Sequence, residues 1–532
     1  MEDLNRSWGE ILWLCFCVAA PGGYAIYAGQ DANWDQRNYH IYSVYSWLTG
    51  RGTVDLAAAQ IQTWLNPAPH LIQYLLIRNA PPVVAGALMG ALAGLNGVLL
   101  WTLIRKVQNR AGGWTTRALA SLVVLMGLTG SLFLSFVGTS FAEYICSLPI
   151  LAGLISLIGH RGDEQVRNRA FLVSGLCLGA ASGLKLTNLV YGLGMSATLL
   201  TLWPFLRFRL GALLSFAAGA GVGFAAFGGY WAIKLWLAFG NPVFPFFNSI
   251  FRSALYPPEN FTDARFLPAS LPTAMISYPV AWFLGVHPTS ELPFREPRFA
   301  FAAALLLLAI CAMPRRPSLA SKSGVEAPLT TPRDFWLIAL FFLFSYAIWL
   351  KQFGIQRYAL PLELLTGVIA LVSLERLLPT ARRRVLALGF LVAFAVVWTR
   401  PPDWQRVPYD RDWFGIVGVD TSSRPTLYLL MSWRPTAYAI TAFRPDDTFV
   451  RLGGNMPLEP DTAMGRLALD RIGAHRGPIR TLAMEPLEDA ERDRLGRFGM
   501  SLTPGSCKEF RSRMDVFQTC AAQAISSRGS PQ

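Results

Sequence analysis

Long apolar runs alternate with short polar connections from the N-terminus to about residue 400. Each run is close to the roughly 20 residues that an α-helix needs to cross a hydrocarbon layer of about 30 Å. The pattern predicts eleven membrane-spanning helices, at residues 10–29, 80–104, 118–137, 144–160, 171–185, 188–204, 211–239, 299–314, 335–351, 358–374 and 385–399. Lys185 and Asn188 interrupt the fifth and sixth runs, which therefore indicate a hairpin.

The pattern changes after the last apolar run, where strand-like and helix-like segments alternate. The strand-like segments are Thr426–Met431, Thr448–Leu452 and Ile479–Met484, and the helix-like ones are 434–443 and 458–473. Such alternation is typical of a small α/β domain with a largely parallel sheet. The sequence therefore predicts an α-helical polytopic membrane domain at residues 1–400, with a small C-terminal α/β domain at residues 401–532.

Composition supports the membrane interpretation, because 53% of the 532 residues are hydrophobic and only 15% are charged. A chain this apolar has too much hydrophobic surface for one soluble core. The net charge of +14 is confined to alternate connections. The basic residues there are Arg105, Lys106, Arg110 and Arg117; Arg161, Arg167 and Arg169; Arg207 and Arg209; Arg315 to Arg333; and Arg376 to Arg384.

This distribution predicts a topology, because connections rich in Lys and Arg stay in the cytoplasm. The N-terminus is then cytoplasmic, and the C-terminal domain lies in the periplasm of a bacterial inner membrane. Loops 30–79 and 240–298 face outward, together with short turns near residues 138–143 and 352–357. No polar domain carries clustered basic charge, so we expect no nucleic-acid partner. The first apolar run lacks a basic leader and is predicted to be a retained helix rather than a signal peptide.

The segment Gln30–His40 follows the first apolar run and places two acids where the membrane ends. A carboxylate at this position is costly next to lipid and is by default a candidate for function. Asp35 is our candidate for a catalytic base. Asp31 is the alternative, four residues earlier and on the same face if the segment is helical. One of the two acids could instead cap a helix or pair with Arg37 or Arg51.

Other polar residues are predicted on the same side of the membrane. Glu143 lies in a short outward turn, where it is either a second functional acid or a solvated turn carboxylate. Lys185 and Arg357 are candidates for binding a phosphate, although cations at helix ends also extend toward ordinary lipid headgroups. The remaining candidates for substrate contacts are Tyr39, His40, Asn66 and Tyr358.

These residues, in this order, resemble the multi-helix glycosyltransferases of the GT-C superfamily. The resemblance depends on Asp35 with Tyr39 and His40, on Glu143, on the Ser182–Asn188 hairpin and on Arg357–Pro361 at the outward start of a late helix. It covers residues 1 to 400. It implies an inverting transfer of a sugar from a polyprenyl-phosphate carrier to an acceptor outside the cytoplasm, which would be a cell-envelope glycan, a lipid or a protein.

The chemistry of such a transfer needs residues of these types. A carboxylate must take the proton of the acceptor hydroxyl, and cations must stabilise the departing phosphate. We therefore assign Asp35 as the base, Arg357 to the donor phosphate with Lys185 as a second candidate cation, and Glu143 to the acceptor side. The aromatic loop 240–298 is expected to close over the lipid. No cofactor is certain, although scattered acids could bind a divalent metal ion.

Two cysteines lie apart from the apolar helices, which hold the other five. Cys507 and Cys520 fall in the C-terminal domain and are a candidate disulfide in a periplasmic setting. No Cys and His spacing predicts a structural metal site.

Two other classes of function fit a polytopic chain. A transporter or flippase for lipid-linked sugars would also carry intramembrane charges such as Lys185 and Lys234. It should show internal repeats with a site at the midplane, and the sequence shows no repeat. The third class is an envelope assembly protein without activity, whose C-terminal domain binds a polymer.

Overall fold

A computed structural model describes most of the chain and divides it into two compact units. The described residues are 8–109, 111–159, 164–206, 210–313, 326–420, 422–456 and 458–525. Seven of the basic residues used to predict topology lie outside them: Arg110, Arg161, Arg207, Arg209, Arg315, Arg316 and Lys322. The helical unit comprises Met1–Ala28, Gly86–Tyr230 and Thr262–Trp404, and the mixed unit comprises Gly29–Ala85, Trp231–Phe261 and Gln405–Gln532.

Apolar helices make up most of the helical unit. By length and composition, five helices among the described residues could cross a membrane: Trp8–Ala28, Pro82–Val107, Leu210–Phe239, Pro332–Gln352 and Gln356–Leu377. Four apolar helices are shorter: Trp114–Leu128, Glu143–Leu157, Leu271–Leu284 and Arg298–Ala312. The others are Ser131–Phe136, Glu164–Leu184, Leu189–Leu206 and Ala381–Trp398. These helices support a multi-pass membrane chain, while the number of spans, their orientation and the domain boundary at residue 400 stay predictions.

One predicted helix is wrong, because residues 118–137 form two helices instead of one. Trp114–Leu128 ends before Gly130, and Ser131–Phe136 begins directly after it. The Glu363 carboxylate accepts hydrogen bonds from the backbone N–H groups of Leu132 and Phe133, both at 2.9 Å. A buried carboxylate therefore satisfies the new helix N-terminus, where N–H groups have no intrahelical partner.

A second difference concerns loop 240–298, which contains an apolar helix that is not among the predicted membrane-spanning runs. The helix Leu271–Leu284 has 14 residues and carries Pro279 inside it. It is shorter than a membrane-spanning run, and an internal proline is unfavourable in a helix. Because the helix is short and contains a proline, hydropathy did not predict it as a membrane-spanning run.

Glycines bring helices Glu164–Leu184 and Leu210–Phe224 into close backbone contact. A Cβ atom added at Gly179 would lie 2.1 Å from the carbonyl oxygen of Ala220, and one added at Gly219 would lie 2.2 Å from that of Leu172. Small residues spaced by four allow helices in a membrane to pack this closely. This contact fixes the helix that ends immediately before Lys185.

The mixed unit combines short helices with two sheets. Its helices are Ile41–Leu48, Leu71–Asn79, Tyr230–Phe239, Asn248–Phe251, Ala463–Ala474 and Asp489–Arg497. Its strands are β1 (Gln30–Asp31), β2 (Arg406–Val407), β3 (Leu427–Leu430), β4 (Thr448–Arg451), β5 (Ile479–Ala483), β6 (Met500–Leu502), β7 (Lys508–Arg511) and β8 (Val516–Ala524). A small C-terminal sheet is therefore present at the three strand-like segments that the sequence predicts.

The larger sheet is parallel in one half only. Strand β3 lies between β4 and β5 and runs parallel to both. Strand β8 runs antiparallel to β5, β6 and β7. The prediction of a largely parallel sheet therefore holds for β3, β4 and β5, which alternate with helical segments. The last strands return by short connections, which favour antiparallel pairing.

Candidate functional site

A buried ion pair marks the polar centre of the helical unit. Lys185 donates from Nζ to Oε1 of Glu143 at 2.5 Å. The two side chains are 17% and 5% exposed, respectively. Glu143 is the first residue of helix Glu143–Leu157, and Lys185 lies in the break before the 3₁₀ turn Leu186–Asn188. Glu143 is therefore not a solvated turn carboxylate, and Lys185 has a protein partner rather than only lipid headgroups.

The second oxygen of Glu143 has a different environment. Oε2 is buried and has no hydrogen-bond partner among the described residues. A buried carboxylate oxygen without a donor is costly and marks a place where a ligand hydroxyl would be stabilised. The carboxylate therefore has one oxygen that binds Lys185 and one that is available to accept a hydrogen bond.

Aromatic rings surround the guanidinium of Arg357. Its Cζ atom lies 5.2 Å from the ring centroid of Trp404, 5.8 Å from that of Phe141 and 5.9 Å from that of Tyr358. The Tyr358 ring also lies 5.1 Å from Nζ of Lys185. Aromatic faces attract a cation without neutralising it. The group therefore places two cations, Lys185 and Arg357, close to the Glu143 carboxylate and to aromatic faces.

The segment after Thr262 adds charged residues close to Arg357. Arg265 hydrogen-bonds Asp263 through two guanidinium nitrogens, at 2.8 and 2.6 Å. These bonds lower the pKa of the Asp263 carboxyl, and the charge of Arg357 lowers it further. Gly354, at φ +59°, allows this segment to approach, because a Cβ atom there would lie 2.1 Å from the carbonyl oxygen of Phe266. The end of the predicted aromatic loop thus packs beside the Arg357 turn.

In the mixed unit, Asp31 is held in a network of short hydrogen bonds. Its Oδ1 atom accepts from the backbone N–H of Asn33 at 3.1 Å and from Nδ2 of Asn33 at 2.6 Å. Its Oδ2 atom accepts from Nε2 of Gln36 at 2.8 Å. Asp31 is fully buried and belongs to strand β1, which pairs with β2. The expectation that Asp31 and Asp35 share a helix face is therefore wrong, because the helical residues begin only after Asn33.

Asp35 begins a segment of π-helix at Gln36–His40, which continues as helix Ile41–Leu48. The Asp35 residue is 8% exposed, whereas Asp31 is 0% exposed. π-Helical turns are rare in proteins, and those that occur are frequently found at functional sites. Of the two acids, Asp35 is thus the more accessible, and Asp31 has the contacts of a structural residue.

Arg37 ties this segment to the C-terminal sheet region of the same unit. It donates to Oδ1 of Asp515 at 2.6 Å and to Oε1 of Gln405 at 2.7 Å. Tyr438 donates its hydroxyl to Oδ2 of Asp515, also at 2.6 Å. Burial, followed by the charge of Asp515, raises the pKa of Tyr438 well above its usual range, so the hydroxyl keeps its proton. Arg51, the second arginine that the sequence analysis considered as a partner of the two acids, pairs with Asp55 at 2.7 Å.

The remaining candidates of the first loop are packed against one another. The ring of His40 lies 4.4 Å from that of Tyr39 and stacks on His70 at 3.9 Å. Both His40 and Tyr39 are buried. Asn66 accepts a hydrogen bond from the backbone N–H of Ala68 at 3.0 Å and so supports the turn before His70. These contacts favour packing roles for the three candidates.

Cys507 and Cys520 form a disulfide, with Sγ atoms 2.07 Å apart. Cys507 directly precedes β7 and Cys520 lies in β8, so the bond links the two antiparallel strands. Across the described ranges, no group of three or more His, Cys, Asp or Glu side chains is placed to hold a metal ion.

The sequence analysis missed four residues that contact or lie close to Lys185, Arg357 and Tyr358. Phe141 and Trp404 enclose Arg357, and Tyr191 donates its hydroxyl to the carbonyl oxygen of Tyr358 at 2.6 Å. Arg265 is the fourth. Phe141 lies two residues before Glu143 and Trp404 follows the last helix, so only their proximity to other candidates could have indicated them. No sequence signal joins Tyr191 or Arg265 to this group.

The chain is similar to two crystal structures of ArnT from Cupriavidus metallidurans, one bound to undecaprenyl phosphate and one in the apo state. The first comparison covers 99% of this chain and 100% of the other, at 12% identity and a TM-score of 0.40. The second covers 98% and 100%, with the same identity and TM-score. No family model and no curated protein matches the sequence.

Proposed function

We propose that the chain is a membrane glycosyltransferase that moves a sugar from a polyprenyl-phosphate carrier to an extracytoplasmic acceptor. The observation that carries this proposal is an arrangement in the helical unit, in which three aromatic rings surround Arg357 near the Glu143–Lys185 pair. Two cations close to one carboxylate suit a phosphate, because forked guanidinium donors match phosphate oxygens. The apolar helices suit the prenyl chain of such a donor.

The donor phosphate binds Arg357 first in this account. Lys185 is held by Glu143 and turns toward the phosphate as the leaving group gains charge. Such stabilisation acts where charge develops in the transition state. The bond between the anomeric carbon and the phosphate oxygen breaks, and polyprenyl phosphate departs with the electron pair.

Asp35 takes the proton from the acceptor hydroxyl, whose oxygen forms the new bond to the anomeric carbon with inversion. General base catalysis of this kind contributes about 10²–10⁴ to a rate. Oε2 of Glu143 accepts a hydrogen bond from a sugar hydroxyl, consistent with its lack of another partner in the described part of the chain. Asp31 keeps the segment before Asp35 in place through its three hydrogen bonds.

Binding of undecaprenyl phosphate to the full chain in nanodiscs tests the assignment of Arg357. Arg357→Gln should weaken binding at least tenfold, since a hydrogen bond to a charged group contributes about 1.5–3 kcal/mol. Arg376→Gln is the matched control, because Arg376 also lies over an aromatic ring, that of Phe335 at 5.3 Å, near the other end of the same helix. Equal losses for the two variants, or no loss for Arg357→Gln, would contradict the assignment.

A further inference from the structure

The carboxyl ends of the parallel strands in the mixed unit meet a row of carboxamide side chains from the first loop. Residues after β3 and β4 lie next to Gln60, because Gln60 donates from Nε2 to the carbonyl oxygen of Trp433 at 2.8 Å. Its Oε1 atom accepts from the backbone N–H of Asn455 at 2.9 Å. In open α/β sheets, ligands bind at this edge, beyond the carboxyl ends of the strands.

Glycines allow these segments to approach one another. A Cβ atom at Gly453 would lie 1.7 Å from the carbonyl oxygen of Met431, and one at Gly454 would lie 2.7 Å from Oε1 of Gln60. Gly454 also has φ +124°, which is unfavourable for other residues. The backbone around Gln60 is therefore closely packed, with no space for a side chain at Gly453 or Gly454.

Two amide groups on this frame are, in contrast, loosely paired with each other. Oε1 of Gln62 lies 3.4 Å from Nδ2 of Asn455 and 3.4 Å from Nδ2 of Asn38, whereas Oδ1 of Asn455 accepts from the backbone N–H of Ile61 at 3.0 Å. Good N–H···O hydrogen bonds span about 2.7–3.2 Å, so the two contacts of Gln62 Oε1 are weak. Hydroxyl groups of a ligand would satisfy Oε1 of Gln62 and Nδ2 of Asn455 better.

An exposed indole completes the arrangement. Trp433 is 65% exposed although its backbone is fixed by Gln60. Beside it, Arg434 pairs with Glu485 at 2.8 Å, and both side chains are largely exposed. A flat aromatic face covers the C–H face of a pyranose ring, while amides and charged groups bind its hydroxyls. This combination of groups suits a glycan rather than a phosphate or an apolar ligand.

The carboxamide row leads toward the candidate base. Asn455 is exposed, Gln62 is half-buried and Asn38 is fully buried. Asn38 lies in the same π-helix Gln36–His40 that Asp35 precedes. Asn38 therefore joins the contacts of Gln62 to the π-helix that begins directly after Asp35.

We propose that Trp433, Asn455 and Gln62 form a binding subsite for a glycan acceptor. The identification of the glycan as the acceptor rests on the proposed function, whereas glycan binding itself is independent of catalysis. Trp433 stacks on a sugar ring at the surface, and the two carboxamides bind hydroxyl groups of the next units.

A glycan array probed with the full chain in nanodiscs tests this subsite without turnover. The array carries hexose, aminohexose and pentose oligosaccharides. We expect the wild-type protein to retain a subset of these glycans. Trp433→Ala should reduce their retention at least tenfold, and Gln62→Ala, which removes only the long contacts, should reduce it about threefold.

Trp114→Ala is the matched control, because Trp114 is 61% exposed and belongs to the helical unit. It should leave retention unchanged. Retention of no glycan, an unaffected Trp433→Ala variant, or an equal loss in Trp114→Ala would overturn the proposal. If Asp35→Asn still transferred sugar normally while Trp433→Ala lost binding, the proposed mechanism would fail and the glycan site would stand.

Discussion

The two units hold their buried polar groups in different ways. In the helical unit, the cations Lys185 and Arg357 contact one carboxylate and several aromatic faces. In the mixed unit, Asp31 accepts three hydrogen bonds, and Arg37 donates to a carboxylate and an amide. Directed hydrogen bonds therefore hold the second group, whereas Arg357 in the first group lies against aromatic faces that attract a cation. The contrast is compatible with the proposed roles, which are a reversible phosphate site in the helical unit and an oriented base in the mixed unit.

The largest expected effect comes from disrupting the contact between helices Glu164–Leu184 and Leu210–Phe224, which positions Lys185. Gly219→Leu should abolish folding of that unit, because even a Cβ atom there would lie 2.2 Å from the carbonyl oxygen of Leu172. Gly221→Leu, two residues along the same helix, has no atom within 4 Å of its Cβ position and should be tolerated. Size-exclusion profiles and thermal unfolding in detergent measure both variants. Equal tolerance of the two leucines would contradict the close helix contact.

The next effect tests whether Glu143 and Lys185 form a true buried pair. Glu143→Gln or Lys185→Met alone should lower the free energy of unfolding by about 3 kcal/mol, because each leaves an uncompensated buried charge. The double variant should recover at least half of that loss. Denaturation of all three proteins in the same detergent gives the coupling. Additive losses would mean that the two charges do not depend on each other.

A smaller effect separates the two acids of the mixed unit. Asp31→Asn places an N–H₂ group against donors from Asn33 and Gln36 and should cost about 1–3 kcal/mol of unfolding free energy. Asp35→Asn should cost little, since its role in this account is chemical. Thermal unfolding of the two variants measures the difference. A larger loss for Asp35→Asn would reverse the structural and catalytic assignments.

The smallest expected effect tests one of the hydrogen bonds between buried polar groups in the mixed unit. Tyr438→Phe removes the hydroxyl that donates to Asp515 at 2.6 Å and should cost about 1 kcal/mol. Tyr346→Phe is the control in the helical unit, because the hydroxyl of Tyr346 is buried and has no hydrogen-bond partner among the described residues. That variant should be neutral or slightly stabilising. Thermal midpoints of the two variants give the comparison.

Hydropathy predicted most of the helices, because burial in lipid requires long apolar runs whatever the tertiary contacts are. It missed two features that depend on contacts distant in sequence. The break before Ser131 depends on the Glu363 carboxylate at the new helix N-terminus. The helix Leu271–Leu284 is short and contains Pro279, so its stability comes from packing rather than composition.

The candidate residues were found by their chemistry, but their partners were not. Glu143 and Lys185 were both candidates, yet nothing in the sequence indicates that these residues, 42 positions apart, form a pair. The aromatic rings around Arg357 likewise include those of Phe141 and Trp404, which lie far apart in sequence. The spacing of Asp31 and Asp35 suggested a shared helix face, whereas strand pairing with residues after 400 placed Asp31 in a sheet.

The most direct test of the central claim compares transfer and donor binding in Asp35→Asn. Sugar transfer is measured with undecaprenyl-phosphate-linked sugars and the full chain in nanodiscs, and donor binding is measured with undecaprenyl phosphate. The account predicts that the variant loses transfer by about 10²–10⁴ while it binds the lipid phosphate as the wild type does. A variant that transfers sugar at the wild-type rate, or a wild-type chain that transfers none, would contradict it.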